Sequence, residues 1–404
     1  MRFWYRCAEC GAASPFRPEA ARCGCGGSLL VEYDLEWAAR AMNKERLLRR
    51  EASMWRYAEL LPAADPARAV SLGEGWTPLV RLVEAERRLP LGTLRVKREE
   101  QNPTGSFKAR GFSVAVTLAK EGGAGSVAVN SNGNAASALA AYAARAGMEA
   151  HVFLPKDVPG LIAAECVHYG ARTYLVDGFI HDAGSVVEAG RKRQGWKHLG
   201  TLKEPGRAEG KKTMGLELAE QLGWRMPDVI VYPTGGGSGI VGMWNAFRQL
   251  AAMGFVHGEL TRLVCVQEIG CDPIVQAVRG GGPARHSGPV LSNPTGMRVP
   301  DPPDGRLIAR IVRETGGTAI SVSAEAIRAG QRELGRAGIS ASPEGGAAWA
   351  GMIELLDAGW IRPKDAVVLF NTAHAMKYWP HPLPNLPVVS TYEDWERLRS
   401  AQTN

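Results

Sequence analysis

Short runs rich in β-branched residues alternate along the chain with longer alanine-rich stretches whose apolar positions recur at helical spacing. Ser126–Asn130 precedes a helix-length segment from Ala135 to Ala146, His151–Leu154 precedes Gly160–His168, and Thr173–Val176 follows. The pairing returns as Val229–Tyr232 with Ile240–Met253, Leu263–Val266 with Pro273–Val278, and Ala366–Phe370 near the end. Strand-length runs followed by helix-length runs predict an α/β protein. No internal repeat or low-complexity tract interrupts them. The proline- and glycine-rich span from Gly280 to Asp304 reads as a long loop, either a lid or a surface connection.

At 404 residues the chain exceeds the usual single domain, so the expectation is two domains sharing a cleft with a small appended module. Hydrophobic residues at 45% and charged residues at 22% exclude a disordered, collagen-like or coiled-coil chain. The net charge of +7 arises from 48 basic and 41 acidic residues scattered along the chain, which argues against a nucleic-acid partner. No stretch of about twenty apolar residues is present to span a membrane. Met1–Cys10 sets two arginines among aromatics and has no apolar signal-peptide core, so a cytoplasmic location is expected.

Four of the seven cysteines fall in the first 25 residues, a distribution unlike a secreted disulfide framework. Cys7-x2-Cys10 and Cys23-x-Cys25, the latter followed by two glycines, have the spacing of a compact zinc ribbon with a tight second knuckle. Such a closed Zn2+ site would be structural. The alternative is a degenerate ribbon of four reduced thiols.

Three strand–helix junctions carry candidate chemistry. Asn102-Pro-Thr-Gly-Ser-Phe-Lys108 places a lysine between a turn and a helix, where by itself it would be a solvated residue. Ser131-Asn132-Gly133-Asn134 follows a strand and opens the alanine-rich helix, so it serves either as a helix cap or as a ligand-binding turn at a strand's carboxyl end. Gly235-Gly236-Gly237-Ser238-Gly239, between strand and helix, suits a phosphate held by backbone N–H groups; it lacks both the P-loop ending and the spaced glycines of a dinucleotide fingerprint. Thr372, after the last strand, offers a hydroxyl. A lysine, an Asn-rich turn and a phosphate loop together suit a phosphorylated aldehyde cofactor held covalently by an amine.

These motifs, with Ser342-Pro-Glu-Gly345, resemble threonine synthases and their relatives among the fold-type II pyridoxal-phosphate enzymes, over about Leu72 to Tyr378. The resemblance implies two open α/β domains with the cofactor in the cleft: residues 50–110 and 215–385 in a larger domain, 111–214 in a smaller one, a ribbon at 1–35 and a tail at 386–404. It implies Lys108 as the Schiff-base lysine and proton carrier, Asn134 at the cofactor's 3-oxygen, Gly235–Gly239 at its phosphate and Thr372 at its ring nitrogen. Ser131, Asn132 and Gly133 would hold a small amino-acid substrate's carboxylate, with Arg207 and Lys212 among the substrate contacts. A homodimer is the family's expectation.

Two positions depart from the family. Ala109 stands where an aspartate is common, and Glu204, in the region associated with the substrate phosphate, replaces a frequent asparagine. A carboxylate there would repel a phosphate dianion unless Arg207, Lys211 and Lys212 outweigh it; those three equally suit a solvated helix start. His374 reads as packing or hydrogen bonding before catalysis, and Glu74 and Glu344 are ambiguous. The resemblance implies conversion of O-phospho-L-homoserine and water to L-threonine and phosphate. A β-eliminating ammonia-lyase, a cysteate synthase-like β-replacement enzyme and a catalytically silent ligand-binding relative stand as alternatives.

Overall fold

The structure, a computed structural model, describes residues 2–20, 22–178, 180–200, 204–292, 296–379 and 387–401. β1 (Phe3–Cys7), β2 (Ala13–Pro15) and β3 (Leu29–Tyr33) form a small antiparallel sheet in the order β2-β1-β3. β4 (Leu79–Arg81) and β5 (Thr93–Arg98) come next, followed by β6 (Ser126–Asn130), β7 (Glu149–Pro155), β8 (Arg172–Val176) and β9 (Lys197–His198). The last four make a parallel sheet ordered β8-β7-β6-β9. β10 (Val229–Pro233), β11 (Arg262–Glu268), β12 (Thr318–Val322) and β13 (Ala366–Asn371) join the earlier pair in a sheet ordered β12-β11-β10-β13-β5-β4, parallel except at the β4–β5 edge. The central strands read as unbroken apolar runs because both faces of a parallel sheet are covered: β10 is buried at every position.

The expected fold class holds, and each strand and helix named from the pattern is present with bounds within a few residues. Helix Lys108–Glu121 lies between two cores: Val114 and Leu118 join the apolar cluster on the large sheet, while Phe112, Ala115 and Val116 join that of the small sheet. A helix buried on all sides follows, and it seats helix Gly206–Gln221 so closely that a Cβ on Gly210 would lie 2.0 Å from the Arg110 carbonyl oxygen. The divisions expected at 110/111 and 214/215 thus fall inside these two helices. Tyr5, Val31 and Tyr33 of the ribbon merge into the large-sheet core.

Between the helices Pro273–Gly280 and Gly305–Glu314, the described residues of the long loop contain no helix or strand; residues 293–295 lie outside the described set. Lys203, at the head of the basic segment, residues 380–385 of the larger domain, and residues 386 and 402–404 of the tail also lie outside it. The tail carries a helix, Tyr392–Ala401, that the pattern did not single out. Among the described residues no helix is long and apolar enough to cross a membrane.

Candidate active site

The junctions singled out in sequence meet in one cleft of about 290 Å3. It is lined by Lys108, by Ser131–Asn134 between β6 and its helix, by Gly235–Gly239 between β10 and helix Ser238–Ala252, and by Thr372 after β13. All sit where parallel strands end, the usual place for a ligand in an open α/β sheet. The Phe107 N–H donates to the Thr372 carbonyl oxygen (3.0 Å), which fixes the lysine opposite the end of β13. Gly237, at φ +72°, takes the left-handed conformation that turns the glycine loop into its helix, leaving that helix's first N–H groups facing the cleft. In the Ser131 turn, the Gly133 N–H donates to Ser131 Oγ (3.0 Å).

Electrostatics set the chemistry of this cleft. Burial, reinforced by the positive field of Arg207 and opposed by Glu344, lowers the Lys108 amine to a pKa of about 7. Near pH 7 a large share of this amine is neutral and so competent as a nucleophile and proton carrier, as that of an ordinary lysine is not. Its Nζ lies 3.8 Å from the centroid of the Phe107 ring. Asn134 Nδ2 donates to the Tyr378 hydroxyl (2.6 Å), and that hydroxyl donates to Glu344 Oε1 (3.2 Å). Asn134 Oδ1 and Glu344 Oε2 are buried without a hydrogen-bond partner among the described residues. Acceptors so placed beside a neutral amine and a glycine loop fit a polar ring cofactor carrying a phosphate.

Other predicted residues lie elsewhere. Arg207 is buried behind the cleft wall, its Nη1 donating to the Leu199 carbonyl (2.8 Å) and its guanidinium 4.2 Å from the Phe112 ring centroid. Lys212 turns away from the cleft: it pairs with Glu209 and lies 3.9 Å from the ring centroid of Tyr33 in the ribbon. Helix periodicity explains the correction, since adjacent positions point about 100° apart and the cleft receives Lys211. Glu204 accepts from the Gly206 (2.7 Å) and Arg207 (2.8 Å) N–H groups at the start of helix Gly206–Gln221. It borders a cavity shared with Tyr5 and Ser28 of the ribbon, and burial raises it to about 7 despite Arg207. Ala109 packs in the small-sheet core. Glu74 is spoken for by Tyr142, Trp55 and the Leu72 N–H, and His374 caps the turn Ala375–Tyr378 through Met376 N–H (3.2 Å).

Sequence reasoning weighed Lys211 only as one of three basic residues that could offset Glu204, and left unassigned the cleft residue Tyr378 as well as Val299, Asp301 and Pro303 of the long loop. The loop is thus a wall of the cleft. The proximity of Tyr378 to Asn134 joins positions 244 residues apart and has no local signal. Glu344 did have one, in the Ser-Pro-Glu-Gly motif.

At the ribbon, the Sγ atoms of Cys7, Cys10, Cys23 and Cys25 all lie within 4.8 Å of one another, with Cys7 to Cys25 at 3.5 Å and Cys10 to Cys23 at 3.7 Å. Sulfurs around a tetrahedral ion with bonds of about 2.3 Å would be ~3.8 Å apart. The four thiols therefore fit such an ion.

A cleft at the strand ends, floored by a lysine of lowered pKa and walled by a glycine loop, has the features that suit a phosphorylated cofactor held through an amine. Residues 70–373 match the family model of pyridoxal-phosphate dependent enzymes, and the chain belongs to that family. It is 36% identical to the threonine synthase of Methanocaldococcus jannaschii, over 92% of this chain and 92% of that protein. The threonine synthase of Methanosarcina acetivorans is likewise 36% identical, over 92% and 91%. Among solved structures, a maize serine racemase superposes with a TM-score of 0.62 at 21% identity, covering 81% of this chain and 92% of that one, and so shares the fold.

Proposed function

We infer that the chain acts as a threonine synthase, converting O-phospho-L-homoserine and water to L-threonine and phosphate by γ-elimination and then addition of water at the β carbon. The observation that carries this reading is the half-buried Lys108, its amine lowered to about 7, at the meeting point of the glycine loop and the Ser131–Asn134 turn, in a chain whose relatives are threonine synthases. Bound pyridoxal phosphate supplies an electron sink for charge developing beside the substrate's amine. Lys108 would hold the cofactor through its amine and would move protons at the substrate's α and β carbons. Gly235–Gly239 offer N–H groups to a phosphate, Asn134 an amide to the ring oxygen, and Ser131, Asn132 and Gly133 a turn for the substrate carboxylate. Thr372, which lines the cleft, would bring an uncharged hydroxyl to the ring nitrogen, and a partner without charge would favour elimination and replacement over transamination. Arg207 acts through its field on Lys108.

Glu204 is the feature that favours a β-eliminating lyase. Its carboxylate caps a helix on the ribbon side, so its repulsion of a substrate phosphate is reduced, and this supports the synthase. The four cysteines hold a structural Zn2+, which metal analysis of fresh protein tests. The protein works in the cytoplasm as a homodimer, for which light scattering is the measure of assembly. The domain limits are those the resemblance implies, with the Lys108–Glu121 and Gly206–Gln221 helices shared at the seam. Cofactor-loaded protein is to be mixed separately with phosphohomoserine, threonine and serine, recording phosphate, threonine and oxo acid. Equal phosphate and threonine is the expected result; oxo acid and ammonia without use of phosphohomoserine would make the chain a lyase.

A further inference from the structure

We propose that Lys211 and Ser238 form a clamp for a phosphate monoester dianion inside the cleft, a binding role that rests on the cofactor and substrate reading above and extends it. Lys211 Nζ donates to Ser238 Oγ at 2.7 Å, and Ser238 is the first residue of the helix that the glycine loop opens. Both residues line the cleft, and both are buried. A hydroxyl that accepts from the Lys211 amine keeps its own proton to donate, so the pair presents an N–H and an O–H beside a helix N-terminus.

Counter-charge is short around this amine. Lys108 shares the Phe107 ring with it, the two Nζ atoms lying 3.8 Å and 5.6 Å from the ring centroid. Arg207 adds a second positive neighbour, and the carboxylate acting on Lys211 is Glu204, which is already bound to two backbone N–H groups. Burial, Arg207 and Lys108 together hold Lys211 well below the usual lysine range. A buried cation in such company is costly until an anion joins it, and a dianion at Ser238 restores the ammonium and pairs it. Neighbouring Lys212 has its own carboxylate in Glu209 and needs no ligand, so the difference lies between adjacent residues of one helix.

The dianion has two sources, the cofactor's phosphate and the substrate's leaving phosphate, and the test separates them. Apo-protein, wild type and K211Q, is titrated with pyridoxal phosphate and with pyridoxal, following the absorption of the Lys108-bound form. Holoenzyme is assayed for KM of phosphohomoserine and for inhibition by inorganic phosphate. Losing a charge-assisted bond to the dianion weakens binding about tenfold or more. A loss confined to pyridoxal phosphate assigns the clamp to the cofactor. A loss confined to phosphohomoserine and inorganic phosphate assigns it to the substrate. K211R recovers most of either loss, and if K211Q does not fold, S238A is expected to show the same selectivity. Unchanged affinity for all the phosphorylated probes overturns the clamp. Calorimetry of inorganic phosphate binding to wild type and K211Q reads the anion site even if no cofactor binds, which would instead refute the function proposed above.

Discussion

Helix Lys108–Glu121 carries Lys108 and Arg110 two positions apart, and helix Gly206–Gln221 carries Lys211 and Glu217, yet the two members of each pair live in opposite electrostatic worlds. Arg110 meets Glu99 (2.7 Å) and Glu217 (2.8 Å), Lys97 pairs with Glu217, and Thr77 adds a hydroxyl to Glu99 (2.7 Å). In that network every charge faces its opposite: although burial pushes Glu217 up, Arg110 and Lys97 hold it down at about 2. Lys108 and Lys211, on the cleft side of the same helices, face each other and Arg207; burial lowers them as it lowers Lys97, but Glu217 supports Lys97 where Arg207 presses both cleft amines further down. Complete pairing makes an anchor that locks two helices to β5, and incomplete pairing makes a reactive site. The anchor's rigidity is what holds the unpaired amines together.

Mutations can break this contrast from either side. The largest effect belongs to Lys108→Ala, which removes the amine the chemistry turns on: turnover should fall by at least about a thousandfold, together with the cofactor's lysine-linked absorption, and full activity in this variant would refute the site. On the anchor side, Glu217→Gln strands Lys97 and half of Arg110, costing about 3–5 kcal/mol, measurable as a shift in urea midpoint; an unshifted midpoint would deny the network its role.

Glu204→Gln sharpens the comparison through pH. Because burial raises Glu204 from 4.5 to about 7, the folded state favours the protonated form, and the stability this confers is whole below 4.5 and lost as pH rises through about 7. Glutamine abolishes that loss, so the variant should be more stable than wild type by up to ~3 kcal/mol at pH 9 and equal to it below pH 4.5. A gain independent of pH would mean that Glu204 is not ionising in the fold. The smallest effect is expected of Tyr378→Phe, which unlinks Asn134 from Glu344 and should weaken cofactor binding by about 1 kcal/mol, a few-fold shift in titration.

Where local pattern equals local structure, reading the chain succeeded. β6, β10 and β13 are apolar runs because parallel strands are covered on both faces, and Gly160–His168 is the helix its spacing predicts. β5 was not singled out: Thr-Leu-Arg-Val-Lys-Arg carries a lysine that looks solvent-bound until Glu217, 120 residues away, is brought against it. The basic segment failed differently. Arg207, Lys211 and Lys212 are indistinguishable as charges, and one turn of helix sends them to the cleft wall, the cleft and the ribbon.

The sequence by itself determined the fold class, the four cysteines that converge and the loops that bear chemistry, because strand-length apolar runs, cysteine spacing and consecutive glycines act locally. Only the tertiary structure decided the state of each charge. Whether a lysine is an anchor, a nucleophile or a ribbon contact depends on burial and on carboxylates delivered from distant segments, since desolvation and Coulomb energy are set by what surrounds a group in space.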